Sequence, residues 1–107
     1  MPNIAFINSK YIEFKNAKVH IEDRGFQFSD SVYEVLKVIN KKLIDLDFHY
    51  KRLKYSSSEL NFNLKIDKKK LHRIFLSLIK KIIYLMESST CKLLEVFNLE
   101  NMHIKKI

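Results

Sequence analysis

The chain has 107 residues and a mass of 12.8 kDa, which allows one domain with a single core, and its 47% hydrophobic content excludes a wholly disordered polypeptide. Twenty basic residues against twelve acidic ones give a net charge of +8, but lysine supplies seventeen of the twenty and no basic stripe with interleaved aromatics accompanies them, so no nucleic-acid partner is expected. The apolar run 82–86 is short and follows Lys80 and Lys81, Met1-Pro2-Asn3-Ile4 has no basic segment leading into an apolar one, and the single cysteine, Cys91, permits no internal disulfide. No membrane span or secretory leader is expected, and the setting is read as cytoplasmic.

Residues 4–7 and 10–14 are β-prone and flank Asn8-Ser9, a pair that predicts a two-residue hairpin because Asn tolerates positive φ. Val19-His20-Ile21 is expected to be a further extended piece. From Val32 to Ile39 the β-prone residues are continuous. A strand there places Val32, Glu34, Leu36 and Val38 on one face and Tyr33, Val35, Lys37 and Ile39 on the other. Asn40-Lys41-Lys42 then turns the chain into 43–46, a second hairpin.

Asp47 is the expected N-cap of a helix over about 48–60, with Leu53 and Leu60 one heptad apart on its buried face. Residues 61–66 connect to Asp67, the next expected cap. After it Leu71, Ile74, Phe75, Leu78, Ile82 and Leu85 recur at spacings of three and four, the strongest periodic signal in the chain and the mark of an amphipathic helix over 68–85. Lys68, Lys69 and Lys70 in its first turn oppose the macrodipole, which Asp67 offsets. Ser88-Ser89-Thr90 is expected to break the helix. Leu93, Leu94, Val96 and Phe97 form an apolar patch of unassigned type, and 102–107 carries no recognisable pattern. The expected class is α+β, a small antiparallel sheet of hairpins with two helices on one side.

Chemistry-bearing residues concentrate in two segments. Asp23-Arg24-Gly25 holds the only glycine, which on the residues alone reads first as an ordinary turn and otherwise as a backbone position that rejects a Cβ through positive φ or close approach. Tyr33, early on the central strand, offers a phenol donor to a carboxylate or a cofactor, although on the residue alone a core tyrosine bonded to a backbone carbonyl is the favoured reading. Arg52, in His49-Tyr50-Lys51-Arg52-Leu53, offers a planar fork that fits a phosphate, although a lone helical arginine is more often a surface ion-pair partner. Glu34 and His49 are read as structural, and Cys91, with no histidine placed beside it, as an inert thiol.

The fourteen residues Glu22-Asp23-Arg24-Gly25-Phe26-Gln27-Phe28-Ser29-Asp30-Ser31-Val32-Tyr33-Glu34-Val35, taken with His49-Tyr50-Lys51-Arg52-Leu53, resemble the opening of the class-IV pyridoxal-phosphate aminotransferases, closest to the D-amino-acid branch. The resemblance covers roughly 4–85, as the small N-terminal domain of that family, and leaves 86–107 as an unmatched tail. It implies that Tyr33 holds the substrate carboxylate, that Arg52 grips the phosphate of pyridoxal 5′-phosphate, and that both point toward one common open face. It implies a homodimer, or a partner chain carrying a separately encoded large domain. Ser29 and Ser31 stand where the family has glycine, and each adds strain of about 1 kcal/mol wherever positive φ is required.

In that family the Schiff-base lysine belongs to the second domain, so the expectation for these 107 residues is a truncated transaminase without activity alone. Two alternatives accompany it: one subunit of a split enzyme, and a small basic α+β module for an acidic partner, for which salt-sensitive binding would be diagnostic.

Overall fold

The computed structural model describes residues 4–61, 67–83, 90–98 and 102–106, the last two stretches as backbone. Strands β1 (Ile4–Ile7) and β2 (Lys10–Glu13) form the first hairpin, and a single 3-10 turn follows at Phe14–Asn16. Next come a short helix α1 (Arg24–Phe28), the long strand β3 (Ser31–Ile39) and the two-residue strand β4 (Lys42–Leu43). Helices α2 (Leu46–Glu59) and α3 (Lys68–Ile83) precede β5 (Thr90–Asn98) and β6 (Met102–Lys106).

All six strands join one antiparallel sheet in the order β2-β1-β6-β5-β3-β4. Both predicted hairpins are present, yet they are not neighbours. β5 pairs with the whole of β3, from Ser31↔Asn98 to Ile39↔Thr90, and β6 pairs with β5 and with β1. The segment beyond 85 thus supplies the two middle strands.

Both hairpin turns place two consecutive residues at positive φ, Asn8 and Ser9 in the first, Asn40 and Lys41 in the second. That is the turn whose twist matches the flanking strands. Alternation along β3 falls as expected: Val32, Glu34, Leu36 and Val38 are buried, whereas Tyr33 and Lys37 are exposed. α2 lies against β3 and α3 against β1, on the side of the buried residues. Phe6, Val32, Leu36 and Val38 from the sheet meet Leu53 of α2 and Leu71, Ile74, Phe75, Leu78 and Ile79 of α3 in one cluster. Burying each leucine or phenylalanine there contributes about 1.5–3 kcal/mol. Asp67 caps α3 as expected, its Oδ1 accepting the Lys70 N–H at 2.7 Å.

Four expectations need correction. α2 begins at Leu46 after Asp45, which takes positive φ (57°) and makes no side-chain cap bond, while Asp47 lies in the first turn and binds Lys68 of α3 at 2.7 Å. Helix α2 ends at Glu59, so Leu60, past the last turn, is 44% exposed instead of sharing the face of Leu53. Val19-His20-Ile21 forms no strand: Val19 and Ile21 are exposed, and local bonds replace ladder bonds, His20 Nδ1 accepting the Glu22 N–H at 3.0 Å. β4 spans only Lys42–Leu43 because helix α2 opens three residues later. The connector 62–66, Leu85 and the break at 88–89 lie outside the described residues, as do the side chains of Ile82 and Cys91.

Candidate functional site

The loop before β3 is tied to itself. Asp23, buried, accepts the Gly25 N–H on Oδ1 at 2.9 Å, which caps α1. Arg24 Nε donates to Asp30 Oδ2 at 2.9 Å and its guanidinium stacks 5.2 Å from the Phe28 ring. Gln27 Nε2 donates to the Ile21 carbonyl at 3.0 Å. The polar residues Asp23, Arg24, Gln27 and Asp30 therefore shape the loop. Gly25 does not take positive φ, so the first of its two suggested reasons falls away. Of the two serines standing where the family has glycine, Ser29 takes positive φ (54°) and Ser31 does not, so strain attaches to one of them.

At the other end of this segment, strand alternation aims Glu34 into the helix-covered face, where its side chain is 4% exposed. A carboxylate there must be paired. Arg52, two turns into α2, donates Nε to Oε1 at 2.7 Å and Nη2 to Oε2 at 2.8 Å. His49, one turn earlier, places Nδ1 2.6 Å from Oε2. Burial pushes the Glu34 carboxyl up, but the hydrogen bonds and charge of Arg52 and His49 outweigh it and hold the group below its ordinary value. An ionised carboxylate only accepts, so the His49 proton facing it sits on Nδ1. The bond and charge of Glu34 in turn push the Arg52 guanidinium, charged at any relevant pH, further up.

Asp45, Phe48, His49, Lys51, Arg52 and Tyr55 line an open hollow of about 480 Å³ beside this cluster. A second open hollow, of about 640 Å³, lies at the β3–β4 turn and the start of α3, where Lys41, Lys42, Lys68 and Lys69 meet Asp45 and Asp47. Among the described residues no cluster of histidine, cysteine and acidic side chains could hold a metal ion. No described helix is long and apolar enough to cross a membrane.

Tyr33 and Arg52 do not share a face. Tyr33 is 68% exposed on the side of β3 away from the helices, and Arg52 is anchored on the helix side through Glu34. The expected common face is therefore corrected: adjacent strand residues point to opposite faces, so Tyr33 cannot join the residue that Glu34 holds. β4 pairs only with Val38 and Ile39, leaving 31–36 with a strand partner on one side alone among the described residues. The Glu34–His49–Arg52 cluster was not foreseen, though its signal was present: an acidic residue on the apolar face of a central strand requires a cation from the element packed over it.

No protein-family model matches the chain. Among curated proteins it is 41% identical over 64 residues to a D-alanine aminotransferase of Bacillus licheniformis, covering 60% of this chain and 23% of that protein. It is 34% identical over 73 residues to a D-alanine aminotransferase of Listeria monocytogenes, covering 68% and 25%. The chain thus spans about a quarter of the length of the curated relatives it matches. Its fold matches a branched-chain amino acid aminotransferase of Escherichia coli, with a TM-score of 0.76 at 14% identity over 100% of this chain and 41% of that one. It also matches an aminotransferase of Mycobacterium tuberculosis in its PLP-bound form, with a TM-score of 0.86 at 12% identity over 97% and 39%. At such identities the solved structures establish the fold alone.

Proposed function

Because the chain belongs to the class-IV pyridoxal-phosphate aminotransferases through their small N-terminal domain, we propose that it forms the phosphate-holding wall of a transaminase site for D-amino acids. Arg52 carries this assignment. Two of the five N–H donors of its guanidinium are engaged by Glu34, and Arg52 is one of the residues lining the open hollow; a guanidinium with three further donors can meet a phosphate monoester there. Pyridoxal phosphate supplies, when bound, the electron sink that transamination needs. Tyr33, on the face of β3 opposite Glu34, is not brought to this hollow, and its assignment to the substrate carboxylate rests on the family resemblance alone.

The proton-shuttling lysine is supplied by a larger domain, in a second chain or in further residues of the same protein, and a homodimer completes the site. Both lysine-bearing hollows described here are open to water, which is unfavourable for such a lysine, whose pKa must be lowered by desolvation. The 107 residues alone are therefore expected to show no transamination between D-alanine and 2-oxoglutarate. Binding is tested with pyridoxine 5′-phosphate, which lacks the aldehyde and cannot react with lysines. The chain is expected to prefer it to pyridoxine, and Arg73→Ala is expected to retain that preference. Turnover by the chain alone, with a single stoichiometric lysine adduct of pyridoxal phosphate, overturns the division of labour between the two domains.

One observation favours a basic module for an acidic partner, namely the lysine-lined hollow at the β3–β4 turn. Salt-sensitive binding of an acidic peptide, lost in Lys41→Ala with Lys42→Ala, would select it.

A further inference from the structure

We infer that Glu34 and His49 are positioning residues for Arg52, forming a preassembled clamp that turns one edge of its guanidinium toward a phosphate. This rests on the assignment of the phosphate to Arg52 and adds how its affinity is set. Arg52 reaches from α2 toward β3, and its side chain is nevertheless 65% exposed. An arginine so placed would ordinarily sample many rotamers, which an anion must freeze on binding. Here Nε and Nη2 are both fixed on the carboxylate of a strand residue eighteen positions earlier. The Glu34 carboxylate is itself fixed by burial and by His49. The backbone of β3 around it is paired along its whole length with β5.

Stability alone does not call for this cluster. An apolar residue at 34 would extend the row of Val32 and Leu36, and replacing a buried ion pair by apolar side chains is often neutral or stabilising. What the carboxylate does that an apolar residue cannot is hold the guanidinium plane. The two bonds to Glu34 use Nε and Nη2 and leave Nη1 uncommitted to the carboxylate, and Arg52 lines the hollow together with His49, Lys51 and Tyr55.

The test measures the preference of the chain for pyridoxine 5′-phosphate over pyridoxine, as a ratio of Kd values from calorimetric titration. Wild type, Glu34→Gln, His49→Ala and Arg52→Gln are compared, with far-UV circular dichroism and a cooperative melt as the control for folding. A second readout is the guanidinium Nε–H resonance of Arg52 in 15N NMR, which is resolved only while that proton is held. Glu34→Gln is expected to lose the resonance and to lower the phosphate preference about tenfold, the entropy of one freed side chain. Arg52→Gln is expected to abolish the preference.

If Arg52→Gln abolishes the preference and Glu34→Gln leaves it intact, the positioning role is overturned while the phosphate assignment survives. If Arg52→Gln leaves the preference intact, or wild type shows none, both fall together. Should Glu34→Gln fail to fold, His49→Ala carries the test, because it removes one bond to the carboxylate and keeps the Arg52 pair. A weakening of about threefold supports the clamp, and an unchanged ratio overturns it.

Discussion

The carboxylate of Glu34 and the guanidinium of Arg52 meet through two hydrogen bonds, Nε to Oε1 at 2.7 Å and Nη2 to Oε2 at 2.8 Å, and so join β3 to α2 across eighteen residues of sequence. One partner is buried and the other is largely exposed. The pair is therefore asymmetric: Glu34 depends on Arg52 for its charge, whereas Arg52 retains access to water.

That asymmetry makes stability pH-dependent on the acid side. The folded-state pKa of Glu34 lies below its ordinary value of 4.5. The unfolded chain thus binds the proton more tightly, and the stabilisation from this group is complete above pH 4.5 and lost as pH falls through the lower, folded pKa. Chemical denaturation between pH 3 and pH 7 is expected to show a steeper acid loss for wild type than for Glu34→Gln. At pH 7 Glu34→Gln should be less stable by about 2 kcal/mol, the scale of hydrogen bonds to a charged group. Parallel acid limbs in the two proteins would refute the assignment.

Phe75 is fully buried at the centre of the face that α3 turns to the sheet, in contact with a cluster drawn from β1, β3 and α2. Phe75→Ala is expected to lower the unfolding free energy by about 3–5 kcal/mol, enough to unfold a domain of this size at 37 °C. Leu76, next in sequence and 37% exposed, serves as the control, and Leu76→Ala is expected to cost less than half as much on the same denaturation curve.

The turn between β3 and β4 holds Lys41 at a φ of 64°. A side chain there costs about 1–2 kcal/mol, part of which glycine returns through the greater freedom of the unfolded chain. Lys41→Gly produces the Asn-Gly pair that this turn favours and is expected to raise stability by about 0.5–1 kcal/mol. A drop in melting temperature would show that the positive φ is not maintained in solution.

Tyr33 is exposed on the face of β3 opposite Glu34. Tyr33→Phe is expected to change stability by less than about 0.5 kcal/mol, as for surface positions generally. In a transaminase assembled with a large domain, the same substitution should raise KM for the amino acid by loss of one hydrogen bond to its carboxylate, while pyridoxine 5′-phosphate binding stays unchanged. A loss of cofactor affinity without a change in KM would transfer Tyr33 from the substrate to the cofactor.

Local rules were enough to recover much of this protein. Asn8-Ser9 and Asn40-Lys41 announce their turns because few residues tolerate positive φ, and the alternation from Val32 to Val38 announces a strand with one buried face. The apolar spacing from Leu71 to Leu78 announces α3, and Asp67 its start, since both depend on residues within one or two helical turns. The motif segments at 22–35 and 49–53 also identified the family, because they are contiguous in sequence.

Pairing between distant segments was not legible. Nothing local indicates that β5 and β6 enter between the two hairpins, because a strand acquires its partners from the whole sheet and apolar composition names none of them. The start of α2 at Leu46 instead of after Asp47 was likewise not legible, because Asp45 takes positive φ without a side-chain cap and Asp47 turns to Lys68 of α3. Tyr33 and Arg52 could be nominated by motif, but only the packing of α2 on the Glu34 face of β3 decided that they lie on opposite sides. A buried carboxylate takes the nearest cation, and here the helix above it presents Arg52.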